Sequence, residues 1–431
     1  MAMKPFSFTS KDKYRTVGES RIIELFLRNG WAFDLRSDAR ASARREATQA
    51  LERLIATGLQ FRKTDAGERL FDPVEASNAL RFAGLHFEEP TFRERCVPTA
   101  RRLVWEAHGG GDATRIPPPA KKLGAQRYAV TIRRNFNLAD SKPGERVRLR
   151  LPLPLQNASL ADLRTEFLLD PGMEAETKVA PARADVLVVA PATGFLTVGV
   201  KATFTAWPYV PTACETDLDQ AEAELYTRPK EGLVDISSRV KALAARIAGD
   251  ETDPYSLVRH FWMFMMNELN FGSVHHDELD PLHKLDWLLD HGWYDCQVGS
   301  ALMVALCRAR GIPSRVVTGY FLHETSPSFH TWLEAWIPGI GWMPFDLIGW
   351  DLAPRGGNGD DEWRDYFFGR LDHRMTVERP PRLFGGTGSV RLPTAWHMLT
   401  TQQGLGCAVE FLDVEAGRLV YRENIEVKRC R

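Results

Sequence analysis

The chain has 431 residues, 44% hydrophobic and 26% charged, with a formal net charge of -1. That is ordinary globular composition for roughly two to four domains, and the charge balance gives no electrostatic reason to expect nucleic acid or an anionic membrane as partner. No apolar run of about 18 residues predicts a membrane-spanning helix. The start, MAMKPFSFTSKDKYR, has no apolar core of signal-peptide length, so the cytoplasm is the expected location.

Residues 1–107 read as a helical region. ESRIIELFLRNGWAF and ARREATQALERLIATGL carry apolar residues at helical spacing, and RERCVPTARRLVWEA offers a further helix. His86 and Cys96 read as packing residues there. HGGGDATRIPPPAKK, 108–122, is rich in Gly and Pro and reads as a linker. Over 123–212 the period changes to two. RYAVTIRRNF and RVRLRLPLPL alternate apolar with polar or basic residues, and ADVLVVA and FLTVGVKATFTAW are rich in Val, Thr and Phe. This predicts a small antiparallel β domain of sandwich type. Arg146, Arg148 and Arg150 make a basic stripe that reads as a solvated strand face.

From 213 the helical period returns. PYSLVRHFWMFMMNEL, 254–269, predicts a buried helix, and DPLHKLDWLLDHG, 280–292, a shorter one closed by Gly292. His275, His276, Asp277 and Glu278 share a loop, but no second cluster completes a metal site. The cysteines, Cys96, Cys214, Cys296, Cys307, Cys407 and Cys430, form no CxxC pair and read as free thiols. No metal or cofactor is expected.

The segment after Cys296 recurs at helical spacing and is closed by Gly311. Cys296 therefore opens a helix, where exposed N–H groups and the helix dipole are expected to lower its pKa from about 8.5 towards neutrality. Cys307, inside the same helix, reads as packing. IPSRVVTGYF predicts a strand, and TWLEAWI and GWMPFD two more joined by a Pro-Gly turn. His330 heads the first of this pair and Asp346 ends the second, so the two side chains are expected as neighbours. Thiol acyl transfer needs these residue types: His takes the thiol proton, and Asp fixes the imidazole tautomer. On spacing alone, a coincidence of buried Cys, strand His and turn Asp stays open.

The surrounding blocks resemble the transglutaminase-like superfamily, bacterial branch. Cys296 is followed by ALCRARGIPSRVVTGY, matching Ala-Leu-x-Arg, Gly-Ile-Pro-x-Arg and a Gly-Tyr strand. His330, Trp332 and Glu334, then Pro338, Gly339, Gly341, Trp342, Phe345 and Asp346, match the second block without a gap. The likeness covers about 254–385 and extends weakly to the β domain. It implies an α+β fold: a papain-like transglutaminase core, 213–385, with a preceding antiparallel β domain, 123–212, and an N-terminal helical region, 1–107. GCAVEFLDV and GRLVYRENIEV add a C-terminal β extension, 386–431, placed to line the cleft. GGNGDDEWRD reads as a surface loop.

The resemblance further implies Cys296 as nucleophile, His330 as general base then acid, and Asp346 as orienter. The backbone N–H of Cys296 would hold part of the oxyanion. Trp332, Glu334 and His373 read as structural. Three departures mark a specialised subgroup. Tyr294 stands where the family has Gly, VGS follows at 298–300, and Leu-Ile follows Asp346. Trp293 and Tyr294 are placed to narrow or reshape the acyl site. The implied acyl donor is a peptide, protein or carrier-protein-bound group, transferred to an amine or to water. Two other readings stay open. One is an amide-forming enzyme that uses carrier-protein thioesters in peptide natural-product biosynthesis, and the other is a non-catalytic interaction scaffold. Oligomeric state is not indicated.

Overall fold

A computed structural model describes residues 16–26, 37–72, 75–76, 78–80, 124–137, 146–171, 173, 175–180, 183–189, 195–213, 217–272, 274, 279–280, 282–322, 324, 329–347, 367–378, 391–393, 399–401, 410–411 and 420–430. RERCVPTARRLVWEA, His86, Cys96, the 108–122 linker, the loop 275–278 and GGNGDDEWRD lie outside them.

The N-terminal region holds helices α1 (Glu19–Phe26) and α2 (Ser37–Ala56). It also holds a three-stranded sheet made of Val17–Gly18, Arg62–Lys63 and Arg69–Phe71. Strands of two or three residues are too short to show a period of two, so the sequence reads only the helices. Ile22, Phe26, Leu51, Leu54 and Phe71 make a small core of their own.

The β region contains β1 (Gln126–Asn137), β2 (Arg146–Pro152), β3 (Leu160–Leu169), β4 (Ala175–Ala180), β5 (Arg183–Val189) and β6 (Phe195–Ala206). Its strands fall into a six-stranded and a four-stranded sheet. Alternate side chains are buried, as with Ala184, Val186 and Val188 on β5. The C-terminal segment joins this region. Strand β11 (Val420–Cys430) runs antiparallel along β1, from Val420 opposite Asn137 to Cys430 opposite Arg127. Glu410–Phe411 pairs with β2.

The core begins with α3 (Gln220–Leu225), α4 (Ser238–Ala248) and α5 (Pro254–Glu268). The Asp253 carboxylate caps α5 by accepting from Ser256 N–H, with Pro254 at the first helical position. Helix α6 (Asp286–His291) ends on Gly292, whose φ of 75° is left-handed and suits Gly. Helix α7 (Cys296–Ala309) follows. Every residue from Gln297 to Arg308 is buried, as expected of a helix apolar nearly all round.

Strands β7 (Ser314–Phe321), β8 (Phe329–Ile337), β9 (Gly341–Phe345) and β10 (Arg374–Glu378) form one antiparallel sheet in the order β9-β8-β7-β10. Alternation divides its side chains. Leu333, Ala335, Val316 and Phe345 pack with α7, α4 and α5 in one core. On β8 the residues His330, Trp332 and Glu334 share the opposite parity with Arg315 of β7, Pro344 of β9 and Arg374 of β10. The β region closes on this sheet through Tyr128, Val130 and Phe204, which pack with Tyr320, Leu322, Met375 and Val377. His373 fastens the seam. Its Nε2–H donates to the Gly124 carbonyl at 2.9 Å, so Nδ1 accepts from the Tyr128 hydroxyl at 2.7 Å.

Gly319, opposite His330 on β7, sits where the pairing with β10 shifts register. A Cβ there would lie 2.1 Å from the Met375 carbonyl oxygen and 2.8 Å from Trp332. Backbone cannot yield as a flexible side chain can, so Gly319→Ala is expected to cost about 1–3 kcal/mol. Urea unfolding measures it.

Candidate active site

Cys296 occupies the first position of α7. Asp295 is its N-cap, and the carboxylate accepts from the N–H groups of Gln297 and Val298, each at 2.9 Å. Asx capping explains why the helix starts here. It also changes the electrostatics expected of the thiol. Two N–H groups that could face an anion are taken, and a carboxylate stands beside the sulfur. Burial pushes the Cys296 thiol above its ordinary value, with Asp295 and then Asp346 adding to the rise. The backbone N–H of Thr331 works the other way. The direction is opposite to the lowering towards neutrality expected of a helix start.

Thr331 is the residue after His330, so its position beside the sulfur places Cys296 against the start of β8. His330 and Asp346 are in direct contact. The imidazole Nε2 lies 3.0 Å from Oδ1 and 2.9 Å from Oδ2 of Asp346. The carboxylate is fully buried and the imidazole nearly so. An ionised carboxylate only accepts, so Nε2 carries the proton and Nδ1 is left without one. Phe321 stacks on the imidazole at 4.3 Å between centroids. Burial lowers the His330 pKa below its ordinary value, and the Asp346 charge opposes that shift. Taken separately, both shifts favour a neutral thiol and a neutral imidazole.

Asp346 has a second partner, Arg374. Its Nη2 donates to Oδ2 at 2.9 Å, and its Nε donates to Asp372. Sequence reading passed over Arg374, Asp372 and Thr331. Asp295 alone carried a local signal, an acidic residue directly before an apolar helix.

The motif residues between the chemical groups are framework. Arg308 donates to the Ser314 carbonyl at 2.8 Å, the Arg228 carbonyl at 2.9 Å and Glu231 at 2.6 Å, tying α7 to the start of β7. Arg315 pairs with Glu334 at 2.7 Å and lies 3.7 Å from the centroid of Trp342. Trp293 and Tyr294 turn inward: both are buried in the core, and Tyr294 packs on Gly299 of α7. Instead of reshaping an acyl site they seat the helix. A cavity of about 240 Å³ lies on the other side of the sheet, between Asn157 and Tyr209 of the β region and Trp332, Glu334, Asp372 and Arg374 of the core.

Residues 241–347 match the model of the Transglutaminase-like superfamily. No curated protein matches the sequence. Among solved structures, a Cytophaga hutchinsonii protein assigned as a cysteine protease is 17% identical with a TM-score of 0.49, over 72% of this chain and 92% of its own. The periplasmic domain of Pseudomonas aeruginosa TgpA is 22% identical with a TM-score of 0.27, over 48% and 71%. Red sea bream transglutaminase is 13% identical with a TM-score of 0.24, over 47% and 45%. Residues 241–347 thus carry a transglutaminase-like core, in a chain of α+β fold.

The effect of Asp295 on the thiol can be isolated. Asn still caps a helix but carries no charge. Asp295→Asn is expected to speed Cys296 alkylation by iodoacetamide at neutral pH about tenfold, with the melting temperature nearly unchanged. Peptide mass spectrometry against time reads the rate at this cysteine.

Proposed function

We propose that the protein is a cysteine acyltransferase in which Cys296, His330 and Asp346 act in sequence on a carboxamide, peptide or thioester carbonyl. The observation that carries this reading is the imidazole of His330. Its Nε2 is held by buried Asp346, Nδ1 is left to act as base, and the thiol of Cys296 lies beside the next residue of the strand.

His330 Nδ1 takes the thiol proton as Cys296 Sγ attacks the carbonyl carbon. The carbon–oxygen π electrons move onto oxygen. The cap takes the N–H groups of Gln297 and Val298 but not that of Cys296, which supports the Cys296 N–H as an oxyanion donor. Collapse breaks the bond to the leaving amine or thiol, which departs with the proton from His330. A thioester on Cys296 remains. An amine or water then gives a proton to His330 and attacks, and the Cys296 thiol leaves reprotonated. With an amine the product is an amide; with water it is an acid. Throughout, Asp346 steadies the imidazolium that forms transiently.

The acyl donor is proposed to be a peptide, protein or carrier-protein-bound group. Intact mass spectrometry after mixing with short peptide carboxamides and pantetheine thioesters, with and without added amine, tests this. The expected result is an adduct of acyl mass on the wild type and none on Cys296→Ala. Adducts on both would sink the nucleophile assignment, and adducts on neither would favour the scaffold reading. Release only when amine is present would mark a transferase.

The pH profile follows from the direction of the shifts. A base must be neutral to act, so acylation is lost as pH falls through the folded His330 pKa, which lies below the ordinary 6.5. At pH 6.5 the rate is therefore expected above half its plateau. The raised thiol adds no inflection near its ordinary value of about 8.5. Stopped-flow acylation between pH 5 and 9, in steps of about half a pH unit, reads both limbs.

A further inference from the structure

His330 Nε2 lies within reach of both oxygens of Asp346, at 3.0 and 2.9 Å. A buried carboxylate is held further when a cationic donor also meets it. Arg374 supplies one from β10, two strands away from β8. Its Nη2 meets the same oxygen, Oδ2, that receives His330 Nε2, each at 2.9 Å. Its guanidinium lies 4.0 Å from the centroid of Phe321, the ring on which His330 also stacks. Nε is anchored by Asp372, and both residues are buried. Among the described residues, Nη1 has no hydrogen-bond partner.

We propose that Arg374 is a positioning residue of the acyl-transfer site: it locks the Asp346 carboxylate in place and limits how strongly that carboxylate draws a proton onto His330. The proposal rests on the assignment of His330 as base. Asp346 alone would stabilise imidazolium and leave His330 a poor base near neutrality. A guanidinium on the same oxygen offsets part of that charge. The charged groups that act on His330 are Asp346 at the end of β9, and Arg374 and Asp372 from β10 and its entry. Among them Arg374 is the cation, and its charge acts against protonation of the imidazole. Asp372 both anchors Arg374 and opposes its charge.

The test reads His330 directly and needs no substrate. The full-length chain carries Cys296→Ala to remove coupling to the thiol, and its histidines are ¹³C-labelled at Cε1. The His330 resonance is the one lost in His330→Gln. In Arg374→Met the His330 midpoint is expected to rise by about one pH unit, because a neighbouring positive charge is gone. Arg374→Lys should stay near the parent value, since the charge remains. Asp372→Asn should shift the midpoint down. In the chain that keeps Cys296, the acid limb of pantetheine-thioester acylation should move up with Arg374→Met by the same amount.

An unchanged His330 midpoint in Arg374→Met, with the melting transition intact, would overturn the proposal. So would a rise in Arg374→Lys equal to that in Arg374→Met, which would mark a packing role. If Arg374→Met does not fold, Asp372→Asn decides: a midpoint that stays or rises counts against the proposal. The absence of any acyl adduct on the parent chain would instead refute the nucleophile reading, because the His330 titration is measured without Cys296.

Discussion

The site depends on one buried carboxylate. Asp346 has no exposed surface, and an ionised carboxyl in that position is tolerated only when its lone pairs are met by donors. The donors come from two other strands: His330 at the start of β8 and Arg374 at the start of β10. Satisfying Asp346 therefore brings three strands into register at the same end of the sheet. It also fixes the imidazole tautomer, because a carboxylate bound to Nε2 leaves Nδ1 unprotonated. Removing one partner of such a buried set typically costs about 3–5 kcal/mol, so fold and chemistry are coupled here.

Around that carboxylate the charges are arranged to hold a proton back instead of parting with it. Asp295 caps the cysteine helix with a negative charge beside the thiol, and burial raises the thiol further. Burial also lowers the imidazole, with Arg374 adding to the effect. Both directions favour a thiol and an imidazole without charge. The motif residues outside the chemistry, Arg308, Arg315, Glu334 and Trp342, hold α7 and the sheet in the relative position this needs.

Much of this was legible in the chain wherever the cause is local. Pro254 after Asp253, Gly292 after an amphipathic run and the Pro-Gly turn between β8 and β9 each act within a few residues. They place the helices and bring His330 near Asp346. The signals that failed are of two kinds. Some are long-range: Arg374 reaches Asp346 only because β10 pairs with β7, and the C-terminal strand meets β1 across a separation of 304 residues between Gln126 and Cys430. No local period encodes either pairing. Others are local in position but not in sign. Asp295 is visible as a cap, yet whether the helix start raises or lowers the thiol depends on summing the dipole, the cap charge and burial. Trp293 and Tyr294 likewise look like walls of a cleft in sequence and prove to be core, both buried in the cluster that α7 packs into.

The central claim is that Asp346 acts on the chemistry through His330. A double-mutant cycle on Cys296 acylation by a pantetheine thioester tests it most directly, using Asp346→Asn, His330→Gln and the double variant. The account predicts strong coupling. Asp346→Asn alone should slow acylation about 100-fold, and the same change made in His330→Gln should alter the residual rate by less than about threefold. Equal losses in both backgrounds would contradict it and would leave Asp346 a structural residue that merely lies beside the histidine.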